Sequence, residues 1–332
     1  MSRLVTVFGG SGFIGRYITE RLAEDGWRIR VAVRRPNEAL FTRTYGVPGQ
    51  IEPVFANIRD EASVRLATRS ADAVVNCVGV LTPSGANSFS AVHDEGAGRV
   101  ARIAAEEGVE RVVHVSALGA DPQSPSLYAR TKAAGEAAVL AARPDAVILR
   151  PSVVFGPEDQ FFNRFAAMAR MSPVIPVFGA RTRFQPVYVE DVAAAAVNAI
   201  DNDETAGVYE LGGPEIDDFA GLMRRMLDVI ERRRLILPLP FWAGAAIGGV
   251  SEALSALTIG LLTPPVTRDQ IRLLRRDNVV SETARGLIDL GVTPTPMEAV
   301  LPEYLWPYRP LGQYAAIRDS ARRLRARHRH GA

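Results

Sequence analysis

The sequence predicts an α/β chain built on a doubly wound parallel sheet, with a smaller C-terminal α/β lobe. Three observations point there. Short β-branched runs alternate with helical patterns across the first half of the 332 residues, the order that folds into parallel strands joined by crossover helices. A glycine-rich turn, GGSGFIG (9–15), separates the first apolar run from the first helical pattern. From about residue 214 the alternation gives way to Pro, Arg and aromatic residues.

Taken in order, LVTVFGG is the first strand and its turn, a helix follows over 13–25, and RIRVAV (28–33) is the second strand. ADAVVNCVG (71–79) is a strand before an Ala- and Arg-rich helix over 93–107, and RVVHVSALG (111–119) is the next strand. YARTKAAGEAAVLAA (128–142) is helical, and AVILRPSVVFG (146–156) closes the series. PVYVEDVAAAAVNAI (186–200) and VYELGG (208–213) form one more helix and strand that return to the sheet. The expected domains are a dinucleotide-binding unit over 1–156, rejoined by 186–213, and a substrate or partner-docking lobe made of 157–185 and 214–332. Neither an internal repeat nor a low-complexity linker interrupts them.

Composition excludes several classes. A net charge of +2 sets up no global field for nucleic acid. One cysteine, Cys77, allows no internal disulfide, and four histidines spell no metal-ligand cluster, so no metal is expected. Such cysteine usage fits a reducing compartment. Met1 leads directly into an apolar strand, so neither a secretory signal nor a transit peptide is expected.

The glycine turn is the strongest chemical signal. Gly9, Gly12 and Gly15 are spaced G-x-x-G-x-x-G, with Gly10, Ser11, Phe13 and Ile14 between them. A strand-to-helix turn of this kind lets backbone approach a pyrophosphate, which then rests on the helix N-terminus. The second strand ends in Arg34 and Arg35, with no carboxylate there. Arginine accommodates a ribose 2′-phosphate where an acidic residue would bind the free hydroxyl, so NADPH is expected ahead of NAD(H). Asn57 and Ile58 in ANIRD are placed to flank the adenine, and backbone at Val78 and Gly79 to pass over the dinucleotide.

Lys132 is the single lysine among 39 cationic side chains. Lys is a compact point charge, whereas Arg is a broad planar fork. Tyr128 lies four residues before Lys132 and shares its helix face. Ser116 closes the preceding strand, at the carboxyl edge where open α/β sheets bind ligands. An ammonium beside a phenol favours the phenolate. Ser116, Tyr128 and Lys132 are therefore the catalytic candidates: a substrate oxygen held by the serine, and a proton exchanged by the tyrosine. His114 and Cys77 read as core residues.

Together the GGSGFIG turn, Ser116 and Tyr128-x-x-x-Lys132 resemble an extended or atypical short-chain dehydrogenase/reductase, a Rossmann domain with a C-terminal substrate lobe. LRPSVVFG and PVYVEDVAAA are similar to two further landmarks of that group. The resemblance implies that Pro151, Ser152 and Val153 lie near the nicotinamide. Many members carry an asparagine on the helix before the serine strand, where this chain has His93 and Asp94.

A narrower resemblance covers nearly the whole chain. GPEDQFFNRFAAMAR (156–170), RFQPVYVEDV (183–192), LPLPFW (237–242), TRDQIRLL (267–274) and DLGVTPTPME (289–298) are similar, in this order, to the nucleotide-binding accessory subunit of respiratory complex I in its bacterial form. It implies a tightly held NADPH with a structural or assembly role and docking against peripheral-arm subunits near the quinone site. The location implied is peripheral, on the cytoplasmic side of a bacterial inner membrane. FWAGAAIGGVSEALSALTIGLL (241–262) carries one charge, Glu252, and reads as a membrane-surface or partner-facing element or as the lining of a substrate pocket. The arginine-rich tail IRDSARRLRARHRHGA suits an anionic membrane surface, an acidic partner or solvent. Two functions stand open: the complex I subunit, and a free reductase, epimerase or dehydratase acting on a sugar nucleotide or isoprenoid-like carbonyl compound.

Overall fold

The computed structural model describes residues 3–246, 248–249, 267–310 and 312. Most of 241–262 and the arginine-rich tail therefore lie outside the described residues. Seven parallel strands form the central sheet: β1 (Leu4–Phe8), β2 (Arg28–Val33), β3 (Ile51–Phe55), β4 (Ala73–Asn76), β5 (Arg111–Val115), β6 (Val147–Pro151) and a returning strand (Gly207–Leu211). Their spatial order is β3-β2-β1-β4-β5-β6 and then the returning strand. This is the doubly wound order, with its switch point between β1 and β4.

The strands are legible as apolar runs because both faces of the sheet are covered. Along β4, Ala73 and Val75 enter one core while Val74 enters the other. On the first face Val7, Val31, Val113 and Leu149 pack against Ile18 and Leu22 of α1 (Phe13–Glu24) and against Val192 and Val197 of the helix Val189–Asp201. On the second face Phe8, Val112 and Ile148 meet Val64 of α2 (Glu61–Thr68), Ile103 of α3 (Glu95–Glu106) and Val139 of α4 (Leu127–Ala142).

Two segments depart from the sequence expectation. The run 146–156 makes two strands. After Pro151 the Ser152 hydroxyl turns to Asn278, and Val154–Phe155 pair with Val187–Tyr188 instead of extending the sheet. The helix expected over 93–107 opens with a π-helical turn at Ser90–Asp94. Its widened turn seats the His93 carbonyl against α4 at Gly135, where an added methyl would lie 1.8 Å from that oxygen. Glycine at 135 is thus a packing requirement.

The smaller lobe holds a core of its own, built from Phe162 and Ala166, Ile175 and Val177, Leu222, Met223 and Met226, and Leu301 and Leu305. Phe161, Phe165, Phe184 and Phe219 stack or meet edge to face around it. Among the described residues no helix is long and apolar enough to cross a membrane.

Candidate dinucleotide-binding site

The turn between β1 and α1 opens at the switch point. Gly9 has φ +77°, in the left-handed region that favours glycine. Its amide donates to the Ala32 carbonyl at 2.9 Å, and Gly12 donates to the Gly9 carbonyl at 2.9 Å. A methyl on Gly15 would lie 2.2 Å from that same carbonyl oxygen, so α1 can press onto the turn only without a Cβ. Gly12 caps α1 with no side-chain hydrogen bond, which leaves the helix start for a ligand. Gly10 is buried and Ser11 half-buried, while Phe13 and Ile14 rest on the core. The cradle fits a pyrophosphate.

Beyond β2, Arg34 and Arg35 are both exposed. Arg35 pairs with Glu38 at 2.9 Å, a solvated pair, whereas Arg34 makes no ion pair among the described residues. Arg16, which sequence reasoning passed over, follows Gly15 directly. It lies 5.0 Å from the centre of the Phe41 ring and pairs with Glu158 at 3.3 Å. One more arginine in an arginine-rich chain carries no signal of its own. After β3 the Asn57 side chain accepts from the Arg59 amide at 3.1 Å, and Ile58 is buried against the Gly96 turn of α3. After β4 the Val78 amide donates to Asn76, and the open face of Gly79 looks toward the Lys132 ammonium, 3.5 Å from where its Cβ would stand.

On α4, Tyr128, Lys132 and Glu136 follow one another at four-residue spacing and share a face. The helix start is held from both lobes. Ser126 accepts from the Ala129 amide, and Asp269 accepts from the Ser126 hydroxyl at 2.7 Å and from the amides of Leu127 and Tyr128 at 2.8 and 3.1 Å. Lys132 is buried and donates to the Val115 carbonyl at 3.2 Å. Burial lowers its pKa to about 8, against an opposing pull from Glu136. Tyr128 stands edge-on to Phe89 and His93, and burial pushes its phenol up to about 12. That direction is opposite to the lowering expected from a neighbouring ammonium.

Ser116 is buried, and its hydroxyl donates inward to a carboxylate oxygen of Glu136. Glu136 is itself gripped by the Arg150 guanidinium, at 3.0 Å to one oxygen and 2.6 Å to the other. Neither Glu136 nor Arg150 figured in the sequence reading, although Glu136 lies one turn past Lys132 on the same face. His93 accepts from the Val80 amide at 3.0 Å and donates from Nδ1 to Thr131 at 3.2 Å. Burial depresses its pKa to about 3, so it stays neutral. His114 pairs with Asn76 and is depressed to about 3 by the same cause. Below Pro151, Asn278 accepts from the Ser152 hydroxyl at 2.6 Å and from the Val153 amide at 3.2 Å. Among the described residues no cluster of His, Cys, Asp and Glu could hold a metal ion.

A parallel switch-point sheet, an uncapped glycine turn and a Tyr-x-x-x-Lys helix define the class. Residues 5–212 match the NAD dependent epimerase/dehydratase family, and the chain belongs to that family. Its similarity to individual proteins runs further. The chain is 34% identical over 313 residues to NADH dehydrogenase (ubiquinone) 1 alpha subcomplex subunit 9, mitochondrial, of Arabidopsis thaliana, which covers 92% of this chain and 78% of that one. It is also 33% identical to a ceramide reductase of Caulobacter vibrioides, over 77% of this chain and 79% of that protein. Among solved structures, UDP-glucose 4-epimerase of Thermus thermophilus in complex with NAD shares the fold with a TM-score of 0.66 at 20% identity, covering 92% of this chain and 99% of that one.

Proposed function

We propose that the chain is an NADPH-binding accessory subunit of NADH:ubiquinone oxidoreductase, with a structural or assembly role. The observation that carries this reading is the reach of the similarity to complex I subunits. It covers 92% of the chain, whereas the family match ends at residue 212, so the likeness includes the lobe that would face partners. Amides of Ser11, Phe13, Ile14 and Gly15 would receive the pyrophosphate at the start of α1, on a turn shaped by Gly9, Gly10 and Gly12, whose own amides donate to backbone carbonyls. Arg34 would meet the 2′-phosphate, with Arg35 beside it. Asn57 and Ile58 would border the adenine, Val78 and Gly79 the central phosphates, and Tyr128 and Lys132 the nicotinamide ribose. Pro151, Ser152 and Val153 would border the nicotinamide ring, the group that supplies hydride chemistry when bound.

Docking would be beside the quinone-site end of the peripheral arm, on the cytoplasmic side of a bacterial inner membrane. A ligand held far above its dissociation constant stabilises the fold by linkage, without turnover. Affinity purification from native membranes tests the assignment. Co-elution with the other complex I subunits is expected, with NADPH in the mass spectrum of the released nucleotide. A soluble, unpartnered protein would count against it.

The ceramide reductase relative favours a second reading, a free short-chain reductase, epimerase or dehydratase using Ser116, Tyr128 and Lys132. Its mark would be NADPH consumed by the purified protein with a sugar nucleotide or an isoprenoid-like carbonyl compound.

A further inference from the structure

We infer that Glu136 is a positioning residue of the nucleotide site: it turns the Ser116 hydroxyl inward, away from any bound carbonyl compound, and stands as counter-ion to the Lys132 ammonium. The inference rests on the nucleotide-binding reading of the same site and deepens it.

A serine has one O–H to give. Here it is donated to a carboxylate that is only 4% exposed, from a serine that is also 4% exposed. Charge-assisted hydrogen bonds of this kind are about twice as strong as neutral ones, so a neutral carbonyl oxygen would be the weaker competitor. The carboxylate is also anchored from behind. Arg150 grips both its oxygens and reaches on to Glu210 at 3.5 Å. This bracket ties α4 to three adjacent strands: β5 through Ser116, β6 through Arg150, and the returning strand through Glu210. Lys132, one turn before Glu136, bonds the carbonyl of Val115, the residue before Ser116. The ammonium and the bracket thus share one strand end. Leu118, two residues past Ser116, has no hydroxyl to supply instead. Tyr128, a neutral phenol, is left as the only O–H donor among the three catalytic candidates. Such a site holds a dinucleotide without the second donor that polarises a substrate carbonyl.

Removing the bracket tests this in the purified full-length protein. NADPH affinity is measured by fluorescence from pH 6.5 to 9.5, and stability by denaturant unfolding, for Ser116→Ala, Glu136→Gln and the double variant. Ser116→Ala is expected to lower stability. Its effect should shrink in the Glu136→Gln background, where a neutral amide oxygen accepts in place of the carboxylate, because the two groups act through one another. Glu136→Gln is expected to move the alkaline loss of NADPH affinity to lower pH. The groups around Lys132 are Glu136 on its own helix, Cys77 after β4, His93 in the π-turn and His114 on β5, and Glu136 is the one carboxylate among them. Glu136→Asp should restore the wild-type profile in part. An alkaline limit that Glu136→Gln leaves in place, or additive stability effects in the double variant, would overturn the inference. Should the wild type bind no NADPH, the nucleotide reading fails, and the unfolding cycle alone still decides whether Ser116 and Glu136 are coupled.

Discussion

At Gly12 and Gly15 the same residue type answers two different demands. A methyl on Gly15 would drive into the Gly9 carbonyl, so Gly15→Ala should lower unfolding free energy by about 1–3 kcal/mol, the usual range for overpacking, in denaturant titrations of the free protein. Gly12 is exposed, and an added methyl meets only the Gly9 carbonyl, at 3.1 Å. Gly12→Val should therefore leave the free protein folded while abolishing nucleotide uptake, read by calorimetry; under the proposed function, complex I assembly should suffer with it. Two buried histidines make the fold sensitive to acid. His93 and His114 have folded pKa values near 3, below the unfolded value of about 6.5. The unfolded chain takes up their protons first, so the stability they allow is present above about pH 6.5 and lost as the pH falls toward 3. Replacing His114 with Gln should flatten that slope in unfolding measurements between pH 6.5 and 4. Of the candidate site, the turn itself was legible because a tight strand-to-helix turn admits few residue types at Gly9 and Gly15. The inward turn of Ser116 was not, because the partner that claims its hydroxyl is 20 residues away on another element.

Helix α4 shows how an element is built from both ends of the chain. Its start is capped by Asp269, 141 to 143 residues distant, on the helix Arg268–Leu273. Asp269→Ala would strip an acceptor from the Ser126 hydroxyl and two helix amides. A cost of about 1–2 kcal/mol is expected, together with faster hydrogen exchange at Leu127 and Tyr128. No sequence pattern announces such a cap, because α4 already carries a local one in Ser126. Helix α1 has a corresponding tie. Arg16 and Tyr17 both reach Glu158 at the base of the lobe, the tyrosine hydroxyl at 2.7 Å. If the carboxylate competes with nucleotide phosphate for Arg16, Glu158→Gln should tighten NADPH binding several-fold in the same titration. Unchanged or weaker binding would show that Arg16 takes no part. The inner strands were legible because burial on both faces leaves them rich in apolar residues, whereas β3, an edge strand carrying Glu52 and Pro53, was not. The split after Pro151 and the π-turn before α3 were hidden, since Asn278 and Gly135, which hold them, lie outside the segments they reshape.

Across the whole molecule the two lobes are laced together rather than strung in series. The chain leaves the sheet after Pro151, builds half of the lobe, returns through the helix Val189–Asp201 to the strand Gly207–Leu211, and departs again. Asp269, Arg276 and Asn278 then fasten the second excursion back onto 118–128 and 151–153. Nucleotide bound at the sheet should accordingly stabilise the lobe as well. At a free NADPH concentration about one hundred times the dissociation constant the gain is about 2.7 kcal/mol, and lobe and sheet should melt in a single transition shifted upward. Two transitions, with only one of them moved by NADPH, would show the lobes to be energetically separate.

The returning strand has a consequence for biogenesis. During synthesis the edge of β6 waits without its neighbour until residue 211 has left the ribosome, by which time only the first part of the lobe exists to shelter it. A transcript cut anywhere between codons 157 and 206 would release a polypeptide with that edge bare, ready to recruit strands from other molecules.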